Sequence, residues 1–180
     1  MNLSYSFGLK HISILDIMII AVGFVLRVKA GGAVTEIYVT QWLTIMVFLL
    51  SLFMAIAKRR DDILLAIRTN KEVRKSTKSY NLDFVSACLA LISAVAIVAY
   101  IMYTISPEVI NRLGTHRLYY TSLFVIAGIF RYLQLAYVQN DTGAPTEVLY
   151  KDKFIQITIL LWIASFYFII YFPNIRLFME

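Results

Sequence analysis

Five consecutive residues, Lys58-Arg59-Arg60-Asp61-Asp62, set three cations beside two carboxylates. An arginine presents a planar fork of donors to phosphate oxygens, and a carboxylate can hold a Mg²⁺ ion that also bridges phosphate. The run therefore suits a phosphate-bearing substrate. It also suits the basic collar at the inner end of a membrane span, with aspartates as counter-charges, and composition alone favours that blander account. Asp16 and Arg27 stand inside an otherwise apolar stretch. At about 100° per residue, positions 16, 20, 23 and 27 share one helix face, so Asp16, Ile20, Gly23 and Arg27 form a stripe. Ionisable groups at such depth face a watery cavity or a partner inside the bundle. Arg27 reads as structural, a cation near a helix C-terminus. Asp16, a turn or so from Lys10-His11, has the better functional claim. Arg131, with Gln134 one turn on, either snorkels to lipid phosphate or points into a cavity that holds an anionic ligand.

Such residues need elements to carry them. The chain has 180 residues, of which 60% are hydrophobic, and a mean hydropathy of +0.73. Soluble globular chains run nearer 45–50% apolar, roughly, and the excess comes in blocks long enough for a hydrocarbon layer that takes about 20 helical residues. The first block is Ile12–Val28, closed by Gly31-Gly32 as a helix-ending pair. The second, Trp42–Ala57, stops at the charged run, and Ile63–Ile67 with Arg68 and Lys71 reads as a separate short helix lying in the interface. The third is Phe84–Ile105. Ser106-Pro107-Glu108 then supplies an N-cap, a first-turn proline and a first-turn acid, with Gly114 ending that helix. The fourth and fifth blocks are Leu118–Val138 and Phe154–Phe172. The expected fold is all-α, a polytopic transmembrane bundle of about five spans, forming one domain over residues 1–180. No signal peptide is expected, since the N-terminus lacks a basic region and Asp16 interrupts the first block.

The Lys/Arg bias of short loops sets orientation. Lys58, Arg59, Arg60, Arg68, Lys71, Arg74, Lys75 and Lys78 fall between the second and third blocks, and Lys151 and Lys153 between the fourth and fifth. Opposite them are Arg112, Arg117 and Arg176, with Arg27 and Lys29 close to a helix end. The first loop is therefore expected in the cytoplasm and the first span begins inside, a multi-pass protein of the cell (inner) membrane. Charge of +6 located in loops argues against nucleic acid. Cys88 sits in an apolar run as a packing residue, and His11 and His116 have no metal-ligand spacing. Most tyrosines near span ends fit an aromatic belt.

Several strings together resemble a known family. Tyr5-Ser6-Phe7-Gly8-Leu9-Lys10-His11 leading to Asp16, then Gly23-Phe24, Arg27 and Ala30-Gly31-Gly32, is similar to the middle of UbiA-type polyprenyl transferases. Ser51-Leu52-Phe53-Met54 with Lys58-Arg59 and Asp62 resembles the second cytoplasmic motif of the decaprenyl-phosphate phosphoribosyltransferase subfamily. Val73-Arg74-Lys75-Ser76, Tyr80, Phe130-Arg131-Tyr132 and Leu149-Tyr150-Lys151-Asp152-Lys153 with Gln156 extend the likeness over nearly the whole chain.

The resemblance implies a nine-helix bundle with a cytoplasmic active site, whose last five helices correspond to the five blocks. It implies transfer of a 5-phosphoribosyl group from phosphoribosyl diphosphate to a polyprenyl phosphate lipid of the cell envelope, with Mg²⁺ as cofactor. On that basis Lys58, Arg59 and Asp62 are the expected catalytic residues. Lys10, Asp16, Arg74, Lys75, Tyr80 and Arg131 are the expected substrate contacts, and Asp62 and Asp61 the metal ligands. General members of the superfamily carry an aspartate where this chain has Lys58, which by analogy favours the phosphoribosyl donor over a prenyl diphosphate. The first aspartate-rich motif of the family, an NDxxD spacing, is absent from the sequence. The chain is therefore expected to be the C-terminal part of an enzyme, with an N-terminal half supplied by another chain as one arrangement. A prenyltransferase with an aromatic or isoprenoid acceptor and a non-catalytic membrane subunit are the alternatives.

Overall fold

The computed structural model describes residues 14–69, 80–139 and 145–171. All regular structure among them is helical: α1 Leu15–Thr35, α2 Gln41–Thr69, α3 Leu82–Ile105, α4 Pro107–Leu113, a 3₁₀ turn Arg117–Thr121, α5 Ser122–Gln134, a π turn Leu135–Gln139, α6 Pro145–Lys151 and α7 Lys153–Tyr171. Five stretches are long and apolar enough to cross a membrane: α1, α2, α3, the continuous run Arg117–Gln139, and α7. The expected five-span, all-α fold is what the chain forms. By contacts it divides into two units, the first reaching Ala96 and the second beginning at Ile97, so that α3 runs through both.

In the first unit α1 packs against α2, and two sequence expectations are corrected. Gly31-Gly32 does not end the first helix, which continues to Thr35. The chain turns at Glu36, whose φ of 57° is left-handed and whose cap N–H bonds back to the Gly32 carbonyl. Gly32 has a different task. A β-carbon there would lie 2.4 Å from Val39 Cγ2 and 2.8 Å from the Ile37 carbonyl oxygen, so the returning chain passes where a side chain would stand.

The second correction concerns α2. It runs 29 residues straight through Lys58–Asp62, and the expected interfacial helix at Ile63–Ile67 is its continuation. The charges end the apolar stretch but not the helix, because none of the residues from Gln41 to Thr69 is Gly or Pro and Lys, Arg, Leu and Ala are good helix formers. At 1.5 Å per residue α2 is about 43 Å long, against a hydrocarbon layer of roughly 30 Å.

The second unit pairs α5 with α7. Trp162 Nε1–H donates to the Tyr100 hydroxyl oxygen at 2.7 Å. Tyr100 lies 2.8 Å from Thr121 Oγ1, and Thr121 donates its own proton to the Leu118 carbonyl at 2.6 Å. That leaves Tyr100 as the donor to Thr121. This buried chain of polar groups joins α3, the 3₁₀ turn and α7, as interhelical hydrogen bonds do where lipid surrounds the helices. The short α4 forms as the sequence predicts: the Ser106 side chain accepts from Val109 N–H, and Gly114 closes the helix at φ 67°.

Candidate functional site

α1 and α2 run antiparallel, which sets the first turn of α1 beside the middle of the charged run on α2. Asp16, in that first turn, is fully buried. A carboxylate there meets the positive end of the helix dipole, yet burial of its charge still demands a partner. Arg59 supplies it. Its Nε and NH2 donate to Asp16 Oδ2 at 2.9 and 2.8 Å, and its NH1 donates to Asp62 Oδ2 at 3.0 Å. Arg59 and Arg60 are 5% and 4% exposed. They are buried rather than solvated loop charges, and Arg59 has aspartates as its partners.

Tyr80, just before α3, completes the group. Its hydroxyl donates to Asp16 Oδ1 at 3.1 Å and accepts the backbone N–H of Ile14. Ile14 has φ 72°, a conformation uncommon for a β-branched residue, and its N–H is the one bonded to Tyr80. The Tyr80 ring stacks on Phe84, centroids 5.9 Å apart. Burial pushes the Tyr80 phenol above its ordinary value, the Ile14 N–H opposes this, and the Asp16 charge adds to the rise. The phenol therefore remains a proton donor.

Of the sequence-stated residues, the structure gathers Asp16, Arg59, Asp62 and Tyr80. Lys58 is exposed on α2. Lys10, Arg74 and Lys75 lie outside the described residues. Arg131 is in the second unit, where its Nε and NH2 donate to Asp152 Oδ2 at 3.1 and 2.8 Å. Its NH1 donates to Gln134 at 2.8 Å, and the guanidinium lies 5.8 Å from the Phe154 ring centre. Asp152 Oδ1 accepts Ile155 N–H at 2.9 Å, capping α7. Hydrogen bonding to Arg131 holds the Asp152 carboxyl below its ordinary value, against the opposing effect of desolvation. Arg131 thus clamps a helix cap. Sequence reasoning named Asp152 only within a likeness string and gave it no role, although an aspartate just before an apolar run is an N-cap signal. It passed over Ser86, which accepts from Arg60 Nε at 3.1 Å and carries no mark in sequence.

Asp61 and Asp62 are adjacent on one helix and leave it about 100° apart. No group of three or more His, Cys, Asp or Glu stands together among the described residues. Mg²⁺ bound to phosphates needs only one or two carboxylates. Asp62, with 25% of its side chain exposed, fits that requirement. Elsewhere, an apolar groove of about 630 Å³ runs along α6 and α7, lined by Tyr150, Ile159, Ile163 and Phe168 among others. Its Gln156 amide is bonded to the carbonyls of Leu149 and Tyr150.

No family model matches the chain. It is similar to decaprenyl-phosphate phosphoribosyltransferase of Mycolicibacterium smegmatis, 35% identical over 176 residues, covering 95% of this chain and 55% of that protein. The Corynebacterium glutamicum protein of the same name is 33% identical over 173 residues, 95% of this chain and 51% of that protein. That of Mycobacterium tuberculosis is 29% identical over 170 residues, 92% and 53% of the two chains. The chain spans about half the length of the curated relatives it matches, in their C-terminal half. The resemblance read from the sequence is borne out.

Proposed function

We propose that this homologue of UbiA-family transferases takes part in moving a 5-phosphoribosyl group from phosphoribosyl diphosphate to a polyprenyl phosphate at the cytoplasmic face of the cell membrane. The observation that carries the reading is the likeness to enzymes named for that lipid and that sugar phosphate, over 95% of the chain. The buried Arg59 beside Asp62 is consistent with it. A phosphate oxygen of the lipid attacks the anomeric carbon, the bond from that carbon to the diphosphate oxygen breaks, and diphosphate leaves. No nucleophilic side chain is required. The protein orients two anionic reactants and neutralises charge on the leaving group.

Arg59 would donate to the diphosphate, with Lys58 at the exposed edge and Lys10, Arg74 and Lys75 as further phosphate contacts. Mg²⁺, held by Asp62 together with substrate phosphates, would neutralise the diphosphate. Tyr80 and Asp16 act on Arg59 rather than on the lipid. The chain spans about half the length of the relatives named for this activity, and by itself it should be inactive.

The test is a labelled-lipid assay in membranes, with radiolabelled phosphoribosyl diphosphate and decaprenyl phosphate. The 180-residue chain should give no labelled lipid alone, and labelled lipid when co-expressed with the N-terminal portion of the Mycolicibacterium relative. Labelled product from a prenyl diphosphate and an aromatic acceptor, with none from phosphoribosyl diphosphate, would replace this reading with a prenyltransferase.

A further inference from the structure

Arg59 holds two carboxylates with one guanidinium, and the two contacts differ. On the Asp16 side both Nε and NH2 are engaged, and the carboxylate is 0% exposed. On the Asp62 side only NH1 is engaged, and the carboxylate is 25% exposed. A guanidinium has five N–H groups, and these contacts use three of them. Asp16 meanwhile has both oxygens occupied, one by Arg59 and one by Tyr80. The single O–H of Tyr80 is directed at Asp16, and its oxygen takes the Ile14 N–H. Neither residue keeps a donor for a phosphate, and an ionised Asp16 would repel one.

We infer that Asp16 and Tyr80 are positioning residues, fixing the Arg59 guanidinium so that its NH1 edge exchanges Asp62 for a phosphate oxygen. This rests on the phosphate-binding reading of the site. The arrangement orders a long side chain before the anion arrives, so binding does not carry that loss. Asp62 serves as the resting partner of the NH1 edge. A lysine at position 59 would be a point charge and would not span both carboxylates. The raised Tyr80 phenol keeps the proton that Asp16 accepts. Tyr80 and Asp16 are thereby removed from the substrate contacts expected of them.

The experiment titrates inorganic pyrophosphate, without Mg²⁺, into the 180-residue chain in lipid nanodiscs. Arg59→Lys keeps a cation opposite Asp16, so the chain folds, but it lacks the fork. It should weaken pyrophosphate roughly tenfold or more, as loss of a charged hydrogen bond does. Asp16→Asn should weaken it comparably in the wild-type background and add nothing on top of Arg59→Lys. Tyr80→Phe, a milder change that spares folding, should show the same pattern at severalfold size. Losses that simply add would mean that Asp16 or Tyr80 touches the ligand directly, and would overturn the inference. Absence of pyrophosphate binding by the wild-type chain would overturn it as well. Pyrophosphate binding without phosphoribosyl transfer in the complete enzyme would instead sink the proposed reaction and leave the positioning intact.

Discussion

A salt bridge with one fully buried partner behaves asymmetrically under mutation. Removal of Arg59 strands the fully buried Asp16 carboxylate, a loss of about 3–5 kcal/mol for buried pairs of this kind. Arg59→Ala should therefore lower the thermal midpoint of the purified chain markedly. Arg68→Ala, on the exposed end of the same helix, should stay within about 0.5 kcal/mol of wild type. Equal, small effects at both positions would return Arg59 to the class of loop charges. In the complete enzyme Asp62→Ala, which does not strand a buried acid, should cost at least roughly two decades of turnover if the site works as proposed. Tyr80 gives a pH signature. Its folded-state value lies above the usual 10.0, so its contribution to stability is whole below that value and is lost as pH rises through the folded-state value. Denaturation midpoints should fall on the alkaline side, and Tyr80→Phe should flatten that limb.

At the scale of the helix, local signals were legible and distant ones were not. Ser106-Pro107-Glu108 and Gly114 announce α4 because capping depends on neighbours a few residues away. The five apolar blocks were legible because length and hydropathy are local sums. The course of α2 was misread because five charged residues look like a boundary, while the acid that lets Arg59 stay buried is 43 residues away in sequence. The Tyr100–Thr121–Trp162 chain was hidden for the same reason, its members scattered through apolar blocks. The glycine pair was misassigned because sequence shows glycine and not what lies beside it. The two glycines should now separate by sign. Gly31→Ala meets open space and should stabilise α1 by up to about 1 kcal/mol. Gly32→Ala must displace Val39 and the Ile37 carbonyl and should destabilise the α1–α2 hairpin. Chemical denaturation of both variants reads the two directions, and a shared sign would refute the account of this turn.

For the whole chain, orientation follows from where its basic residues fall rather than from any contact. Single cysteines at positions 77 and 111, with Cys88 replaced by serine, should label from opposite sides of intact cells, position 111 from outside. Labelling of position 77 from outside would reverse the topology and put the Arg59 cluster on the wrong face for a cytoplasmic donor. The tyrosine–threonine–tryptophan chain also has a practical optical meaning. The sequence contains two tryptophans, Trp42 on α2 in the first contact unit and Trp162 on α7 in the second. Each unit therefore carries one indole fluorophore. With Trp42 replaced by phenylalanine, emission reports on the second unit alone, through an indole whose N–H is tied to Tyr100. With Trp162 replaced, it reports on the first. Unfolding of the two units becomes separable by colour and intensity, without attaching a dye.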